Sequence, residues 1–242
     1  MFKLAVLASG SGTNLQAIID KLHRRDAGPP GAVATPGPGA RPGVAEADRA
    51  TQASRAALFG GARVPIEVAL VVSDNYSAGA LHRADMAGIP TAVFPMADYA
   101  SRTEHDLAMA AAIKEAAADL VIMAGYMRLL TAAFLELFPW RVINLHPALL
   151  PSFPGTTSIT EAVQYGVKVT GVTVHFVDPG MDTGPVICQE PVRVEDDDSA
   201  ESLATRIHAL EHELLPRAIE LIAAGKVTPP ATGSRTVRVT RE

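Results

Sequence analysis

The sequence has a single cysteine, Cys188, and no long run of apolar residues. One cysteine cannot form an intrachain disulfide, so nothing in the chain calls for an oxidising compartment. No apolar run approaches the roughly 20 residues that span a bilayer. The apolar start M-F-K-L-A-V-L-A leads directly into a glycine turn, which is typical of a first strand and not of a signal peptide. These absences predict a soluble, cytoplasmic protein with no membrane partner.

Positive charge is also scarce. Lysine and arginine number 21 against 26 aspartates and glutamates, which gives a formal net charge of −5. A protein that binds nucleic acid non-specifically needs a basic face, so no nucleic-acid partner is expected. The sequence also has no cysteine cluster, and no metal site is predicted.

Short apolar runs alternate with helical patterns from Phe2 to Asn144. This alternation predicts an α/β fold, with a mostly parallel sheet and helices on both faces. Two later strand-like runs, 170–177 and 184–192, share the turn D-P-G-M-D-T-G-P and predict a hairpin or a mixed edge. Helices are predicted at 13–22, after 77, and at 101–118, 129–138, 157–165 and 199–224.

One segment departs from this pattern. Residues 24–63 are rich in proline, glycine and alanine, and we predict a solvent-exposed, mostly disordered insertion. An ordered lid is the alternative. The remaining chain predicts one domain over residues 1–225 and a loose polar tail over 226–242.

A glycine turn, S-G-S-G-T-N, follows the first strand. Gly10 and Gly12 allow a tight turn, and Thr13 or Asn14 can cap the helix that follows. A strand, a glycine turn and a helix aim backbone N–H groups and the helix dipole at an anion, for which a phosphate is the best candidate. The turn is not a Walker loop, and it lacks the third glycine of a dinucleotide fingerprint. A plain turn without a ligand is the alternative.

Residues 142–154, V-I-N-L-H-P-A-L-L-P-S-F-P, predict a buried strand that ends at a proline. Asn144 and His146 are two positions apart and therefore point to the same face. A donor amide and a titratable imidazole aimed at one point can polarise a carbonyl. Alternatively, Asn144 bonds a loop carbonyl and His146 is a satisfied core residue. Asp182 lies in a glycine-bounded turn and is a candidate third member, although such an aspartate most often shapes its own turn.

Two charged residues carry weaker indications. Asp74 ends a predicted strand, where it can bind a ribose hydroxyl or cap the next helix. Arg102 lies in the first turn of a predicted helix, where a cation opposes the helix dipole. A ligand for Arg102 would explain that position, but most surface arginines have none.

Three separated motifs carry a resemblance to a known family. N-L-H-P-A-L-L-P-S-F-P-G, from Asn144, and V-T-G-V-T-V-H-F-V-D-P-G-M-D-T-G-P, from Val169, resemble the folate-dependent formyltransferases. The motif S-G-S-G-T-N-L-Q-A-I-I-D narrows the resemblance to members that act on glycinamide ribonucleotide. It extends from Phe2 to about Gly225, and it implies a single Rossmann-like domain with a phosphate-binding first half and a folate cleft in the second.

The resemblance also implies roles for individual residues. Asn144, His146 and Asp182 match the catalytic residues. Gly12, Thr13 and Asn14 match the phosphate-binding loop, and Glu211 matches a residue that holds the glycinamide or ribose end of the substrate. The folate-binding positions are matched by Arg102, Met127, Arg128, Leu129, Leu130, Val177 and Asp178.

The implied reaction is transfer of a formyl group from 10-formyltetrahydrofolate, as cosubstrate, to the free amine of glycinamide ribonucleotide in de novo purine biosynthesis. It needs no metal, and a monomer or homodimer is expected. The family commonly has a histidine shortly after P-G, where this chain has residues 156–159, T-T-S-I. We expect weaker support of this loop or altered substrate contacts there.

Three alternatives remain at this point. A formyltetrahydrofolate deformylase uses a similar trio, but relatives of that type carry an additional N-terminal regulatory domain. A methionyl-tRNA formyltransferase needs a further C-terminal domain and a basic surface. A Rossmann module that binds a nucleotide without catalysis is the alternative outside enzymes.

Overall fold

The computed structural model describes residues 1–24 and 64–240. Apart from Arg24, the predicted insertion at 24–63 lies outside the described residues. Among these residues, seven strands form one sheet in the order β3-β2-β1-β4-β5-β6-β7. The strands are β1 (Phe2–Leu7), β2 (Ile66–Ser73), β3 (Thr91–Val93), β4 (Leu120–Met123), β5 (Val142–His146), β6 (Val169–Phe176) and β7 (Val186–Arg193).

The sheet is parallel from β3 to β5 and antiparallel at the β6 and β7 edge. The predicted α/β class and mixed edge are therefore confirmed. The chain moves outward from β1 to β3, then returns to the other side of β1 and continues outward through β4 and β5. This reversal creates a switch point between β1 and β4, and open α/β sheets bind ligands beside the carboxyl ends of such strands.

The sheet is covered on both faces, as its parallel strands require. The described helices are α1 (Thr13–Leu22), α2 (Gly79–Met86), α3 (Arg102–Glu115), α4 (Ala132–Leu135), α5 (Ser158–Tyr165) and α6 (Ala200–Ala223), with a short 3-10 turn at Met96–Asp98. In β1, Leu4 and Val6 belong to the core that packs against α1, α2 and α6, whereas Ala5 and Leu7 belong to the core that packs against α3 and α4. Alternate residues of one strand thus serve opposite cores.

The helix predicted at 129–138 is shorter in the structure, where α4 spans only Ala132–Leu135. The residues just before α4 form backbone hydrogen bonds with side chains of α3 instead of extending the helix. Arg102 donates to the Leu129 carbonyl, and Asp106 accepts the Thr131 N–H. After α4, the chain continues as a tighter turn in which Phe138 N donates to Leu135 O at 3.0 Å.

The long helix α6 begins where its sequence predicts. Ser199 caps it, with reciprocal hydrogen bonds between Ser199 and Ser202 that form a capping box. The tail predicted to be loose contains a two-stranded antiparallel ribbon of β8 (Val227–Thr228) and β9 (Arg238–Val239). None of the described helices is long and apolar enough to cross a membrane.

Candidate active site

Three side chains predicted from separate parts of the sequence meet at the carboxyl end of β5. His146 Nδ1 lies 3.4 Å from Asp182 Oδ2, and Asn144 Nδ2 lies 3.3 Å from Asp182 Oδ1. Strand β5 aims Asn144 and His146 to one face, while the turn between β6 and β7 supplies Asp182. The structure therefore brings the predicted trio together, and their catalytic role stays a prediction.

The imidazole of His146 is buried and held from both sides. Its Nε2 lies 2.8 Å from the carbonyl oxygen of Phe153, and its Nδ1 faces the carboxylate of Asp182. A carbonyl and a carboxylate only accept hydrogen bonds, so both contacts are favourable when both ring nitrogens carry hydrogen. Phe153 has a φ of 52°, an uncommon conformation for a residue with a side chain. The imidazole of His146 thus contacts the carbonyl of a residue, Phe153, whose backbone conformation costs free energy.

The carboxylate of Asp182 is partly buried and accepts several donors. Gly155 N donates to Asp182 Oδ2 at 2.8 Å, and Asp182 itself has a φ of 53°. Burial would raise the pKa of Asp182, but His175, the Gly155 N–H and the charge of His146 outweigh burial and hold that pKa below its usual value. The carboxylate is therefore maintained in its charged form.

His175 is a fourth polar side chain of this cluster, which the sequence analysis did not assign to the site. Its Nε2 lies 3.3 Å from Asn144 Nδ2 and 3.7 Å from Asp182 Oδ1. Its Nδ1 lies 2.8 Å from the carbonyl oxygen of Phe176. The antiparallel register places His175 directly opposite Asn144. The alternation in T-V-H-F was the available signal, because it puts Thr173 and His175 on one face.

A cavity of about 210 Å³ opens beside the trio. Met127, Arg128 and Leu129 line it together with Asn144, His146 and Asp182. Of the other predicted folate-binding residues, Arg102 contacts the Leu129 carbonyl, and Leu130 is buried. Val177 and Asp178 lie outside the cavity lining, and Asp178 instead accepts hydrogen bonds from Gly180 N and Thr183 Oγ1 within its own turn.

Gly155 and Thr156 also line this cavity. Thr156 begins the segment 156–159 for which the sequence analysis expected weaker loop support or altered substrate contacts. Gly155 contacts Asp182 through its backbone N–H, and this contact involves none of the side chains at 156–159. The hydroxyl of Thr157 donates to Glu161 Oε1 at 2.6 Å within α5. Weaker support of this loop or altered substrate contacts at 156–159 remain a prediction.

The glycine turn forms the start of α1. Gly12 has a φ of 74° and packs so closely that an added Cβ would lie 2.6 Å from the Cα of Ala80. The first N–H groups of a helix lack partners within that helix, and here they follow Gly12 directly. Asn14 Nδ2 donates to Glu211 Oε2 at 3.1 Å, so the predicted phosphate loop and Glu211 are adjacent.

Arg83 is a cation at the same turn that the sequence analysis did not single out. Its Nε donates to Ser11 O at 2.8 Å, and its Nη1 donates to Gln16 Oε1 at 3.1 Å. A positive charge beside a helix N-terminus favours an anion there. Within residues 1–24 and 64–240, no group of three or more histidine, cysteine, aspartate or glutamate side chains is arranged to hold a metal ion.

The open sheet, its switch point and the polar cluster at its carboxyl edge define a Rossmann-like α/β enzyme. The model of the formyl transferase family matches residues 52–219. The chain belongs to the formyl transferase family. It is 33% identical to the phosphoribosylglycinamide formyltransferase of Bacillus subtilis over 220 residues, which is 91% of this chain and 94% of that protein.

The chain is also similar to part of a longer, trifunctional protein and to a crystal structure of similar length. It is 37% identical to the trifunctional purine biosynthetic protein adenosine-3 of Drosophila melanogaster over 223 residues, 92% of this chain but 14% of that protein. The chain spans 14% to 19% of the length of such trifunctional relatives. The crystal structure of glycinamide ribonucleotide transformylase 1 from Symbiobacterium toebii matches with a TM-score of 0.78 and 39% identity, covering 99% of this chain and 94% of that one.

Proposed function

We propose that this chain transfers the formyl group of 10-formyltetrahydrofolate to the free amine of glycinamide ribonucleotide, a step of purine biosynthesis. The convergence of Asn144, His146 and Asp182 beside the cavity carries this proposal. Membership of the family and the names of the relatives support the two substrates. The proposed location is the cytoplasm, and the proposed state is a monomer or homodimer.

The phosphate of the amine substrate binds at the glycine turn. The free N–H groups at the start of α1 and the nearby guanidinium of Arg83 favour a dianion there. Glu211 supports Asn14 and holds the glycinamide or ribose end of the substrate. Formylfolate binds along Met127, Arg128 and Leu129, which line the cavity beside Asn144, His146 and Asp182.

Transfer proceeds by direct attack of the amine nitrogen on the formyl carbon. A new carbon–nitrogen bond forms, and the carbonyl oxygen takes up negative charge in a tetrahedral intermediate. His146 Nδ1–H and an N–H of Asn144 donate to that oxygen. In the free enzyme the Asn144 contacts are 3.3 Å long, longer than most N–H···O bonds and therefore easily exchanged. Each such donor is worth about 3–4 kcal/mol in the transition state.

The proton of the amine leaves through Asp182. Its carboxylate orients His146 through the contact with Nδ1, and it accepts the amine proton through a water molecule. The same proton then reaches N10 of the folate as the bond between N10 and the formyl carbon breaks. Tetrahydrofolate and formylglycinamide ribonucleotide are the products, and no metal takes part.

The deciding experiment mixes the purified protein with formylfolate, with and without glycinamide ribonucleotide. Folate release that depends on the amine substrate supports the transferase. Release without it would identify a hydrolase, and no release in either mixture would leave only a binding protein. Asn144→Ala and Asp182→Ala should each lower kcat by about 100-fold or more, while circular dichroism shows an intact fold. Near-normal turnover in either variant would refute the assigned mechanism.

A further inference from the structure

Helix α3 contacts the backbone of the segment that borders the cavity at two points. Arg102 donates to the carbonyl oxygen of Leu129. Asp106 Oδ2 accepts the N–H of Thr131 at 2.7 Å. Residues 102 and 106 are four positions apart and therefore lie on the same face of the helix. One helical turn thus holds a carbonyl and an N–H of the segment Met127–Thr131, which we call the cleft segment.

The second point of attachment is part of a buried, hydrogen-bonded pair of side chains, His105 and Asp106. His105 and Asp106 are only 1% and 3% exposed. Asp106 Oδ1 lies 3.0 Å from His105 Nδ1, and His105 Nε2 lies 2.9 Å from the carbonyl oxygen of Phe94. Both neighbours of the ring are acceptors, so both contacts are satisfied when both ring nitrogens carry hydrogen.

An apolar pair would fill this space at lower cost. Burying polar groups is expensive, and well-packed apolar residues often replace a buried polar pair without loss of stability. Apolar side chains, however, cannot accept the Thr131 N–H. The feature that distinguishes this pair from ordinary core packing is therefore the hydrogen bond from the Thr131 N–H of the cleft segment to Asp106.

We propose that Asp106, supported by His105, is a positioning residue that sets the backbone of the cleft segment for formylfolate. This role rests on the proposed function, because it assumes that formylfolate binds along Met127, Arg128 and Leu129. Asp106 acts through the segment and does not touch the substrate. Loss of its carboxylate frees the N–H of Thr131, and the cavity-lining residues before it lose their fixed geometry.

The test compares Asp106→Ala with Asp106→Asn and Ile113→Ala. Ile113 is fully buried in α3, about two turns beyond Asp106, so Ile113→Ala weakens the same helix without releasing the cleft segment. Binding of 10-formyltetrahydrofolate and of glycinamide ribonucleotide is measured separately by calorimetry on each full-length variant, and Tm is recorded. Steady-state formyl transfer is measured in parallel.

Asp106→Ala should weaken formylfolate binding by about tenfold, the equivalent of one lost charge-assisted hydrogen bond, with glycinamide ribonucleotide binding unchanged. Asp106→Asn keeps an acceptor oxygen for the Thr131 N–H and should recover part of the affinity. His105→Phe keeps a ring beside Tyr99 but removes the donor to Asp106, and should act in the same direction. Ile113→Ala should lower Tm and change neither affinity.

The positioning role would be overturned if Asp106→Ala lowers Tm as Ile113→Ala does and leaves formylfolate affinity unchanged. It would also be overturned if Asp106→Ala weakens the binding of both ligands equally. If Asp106→Ala selectively loses formylfolate affinity but the wild-type protein transfers no formyl group, the positioning role is retained and the proposed function is refuted.

Discussion

Asn14 at the start of α1 and Glu211 in α6 are joined by a hydrogen bond of 3.1 Å between Asn14 Nδ2 and Glu211 Oε2, although 197 positions separate them. The same Glu211 oxygen lies 2.9 Å from His208 Nδ1. The carboxylate is 4% exposed, so its donors must come from the protein or from a ligand. Helix α6 is therefore joined directly to the glycine turn at the start of α1.

Glu211→Gln tests whether this carboxylate serves the amine substrate. The amide keeps the shape of the side chain and one oxygen that can accept from Asn14 and His208, as Oε2 of Glu211 does, but it loses the negative charge. We expect the KM for glycinamide ribonucleotide to rise about tenfold, the equivalent of one charge-assisted hydrogen bond, with the KM for formylfolate unchanged. Steady-state kinetics with each substrate varied in turn would show this.

Glu213→Gln is the matched control, because Glu213 is an exposed carboxylate of the same helix that pairs with Lys21. It should change neither KM. Equal increases in both KM values for Glu211→Gln would contradict a role confined to the amine substrate.

The two glycines of the first turn should respond differently to alanine. A Cβ at Gly12 would lie 2.6 Å from the Cα and 2.8 Å from the Cβ of Ala80, at a φ of 74°. A Cβ at Gly10 meets nothing within 4 Å. Gly12→Ala should therefore lower the free energy of unfolding by about 1–3 kcal/mol, whereas Gly10→Ala should stay within about 0.5 kcal/mol. Urea denaturation of both variants measures this, and similar values would contradict the packing argument.

Local patterns in the sequence were sufficient to predict the sheet. Apolar runs marked its strands, and the alternation of strands and helices before Asn144 predicted its parallel part. The helix predicted at 129–138 was too long, because its first residues form hydrogen bonds with side chains of α3 instead. Those hydrogen bonds depend on where α3 packs, and the sequence pattern near residue 129 does not predict that position.

The site was predictable only in its side chains. Asn144, His146 and Asp182 were recognisable by residue type and motif, but the Phe153 carbonyl that holds His146 is a backbone group and leaves no mark in the sequence. His175 was missed for a different reason. Its position opposite Asn144 follows from the register of β5 and β6, which is set by long-range pairing.

Asp182 should make the stability of the protein depend on pH. Its folded-state pKa lies below the usual value, while an unfolded aspartate titrates near about 3.9. Between the two values the unfolded chain binds more protons, so stability rises with pH there. The contribution is complete above about pH 4 and is lost as the pH falls through the folded-state pKa.

Asp182→Asn removes this contribution. The variant should be less stable than the wild type at pH 7. The difference in stability should shrink as the pH is lowered towards about 2, because the carboxylate of Asp182 in the wild type becomes protonated. Urea denaturation at pH 7 and at several values below pH 4 provides the comparison. A stability difference of the same size at every pH would mean that the charge of Asp182 is not what stabilises the fold.

His175 should affect turnover through Asn144. Its Nδ1 lies 2.8 Å from the carbonyl oxygen of Phe176, and its Nε2 lies 3.3 Å from Asn144 Nδ2. This contact directs the amide of Asn144, and a misdirected catalytic group can cost up to about 100-fold in rate. We expect His175→Leu to lower kcat by about ten- to 100-fold with both KM values nearly unchanged.

Val174→Ala is the appropriate control for His175→Leu, because Val174 is fully buried in the same strand but points to the opposite face. It should lower the free energy of unfolding by leaving a small cavity, yet kcat per folded molecule should stay near that of the wild type. His175→Gln, which retains a hydrogen-bonding side chain, should recover part of the lost kcat. Equal kcat for His175→Leu and Val174→Ala would mean that His175 contributes only to packing, since a group that orients Asn144 must affect the transition state more than the stability of the strand.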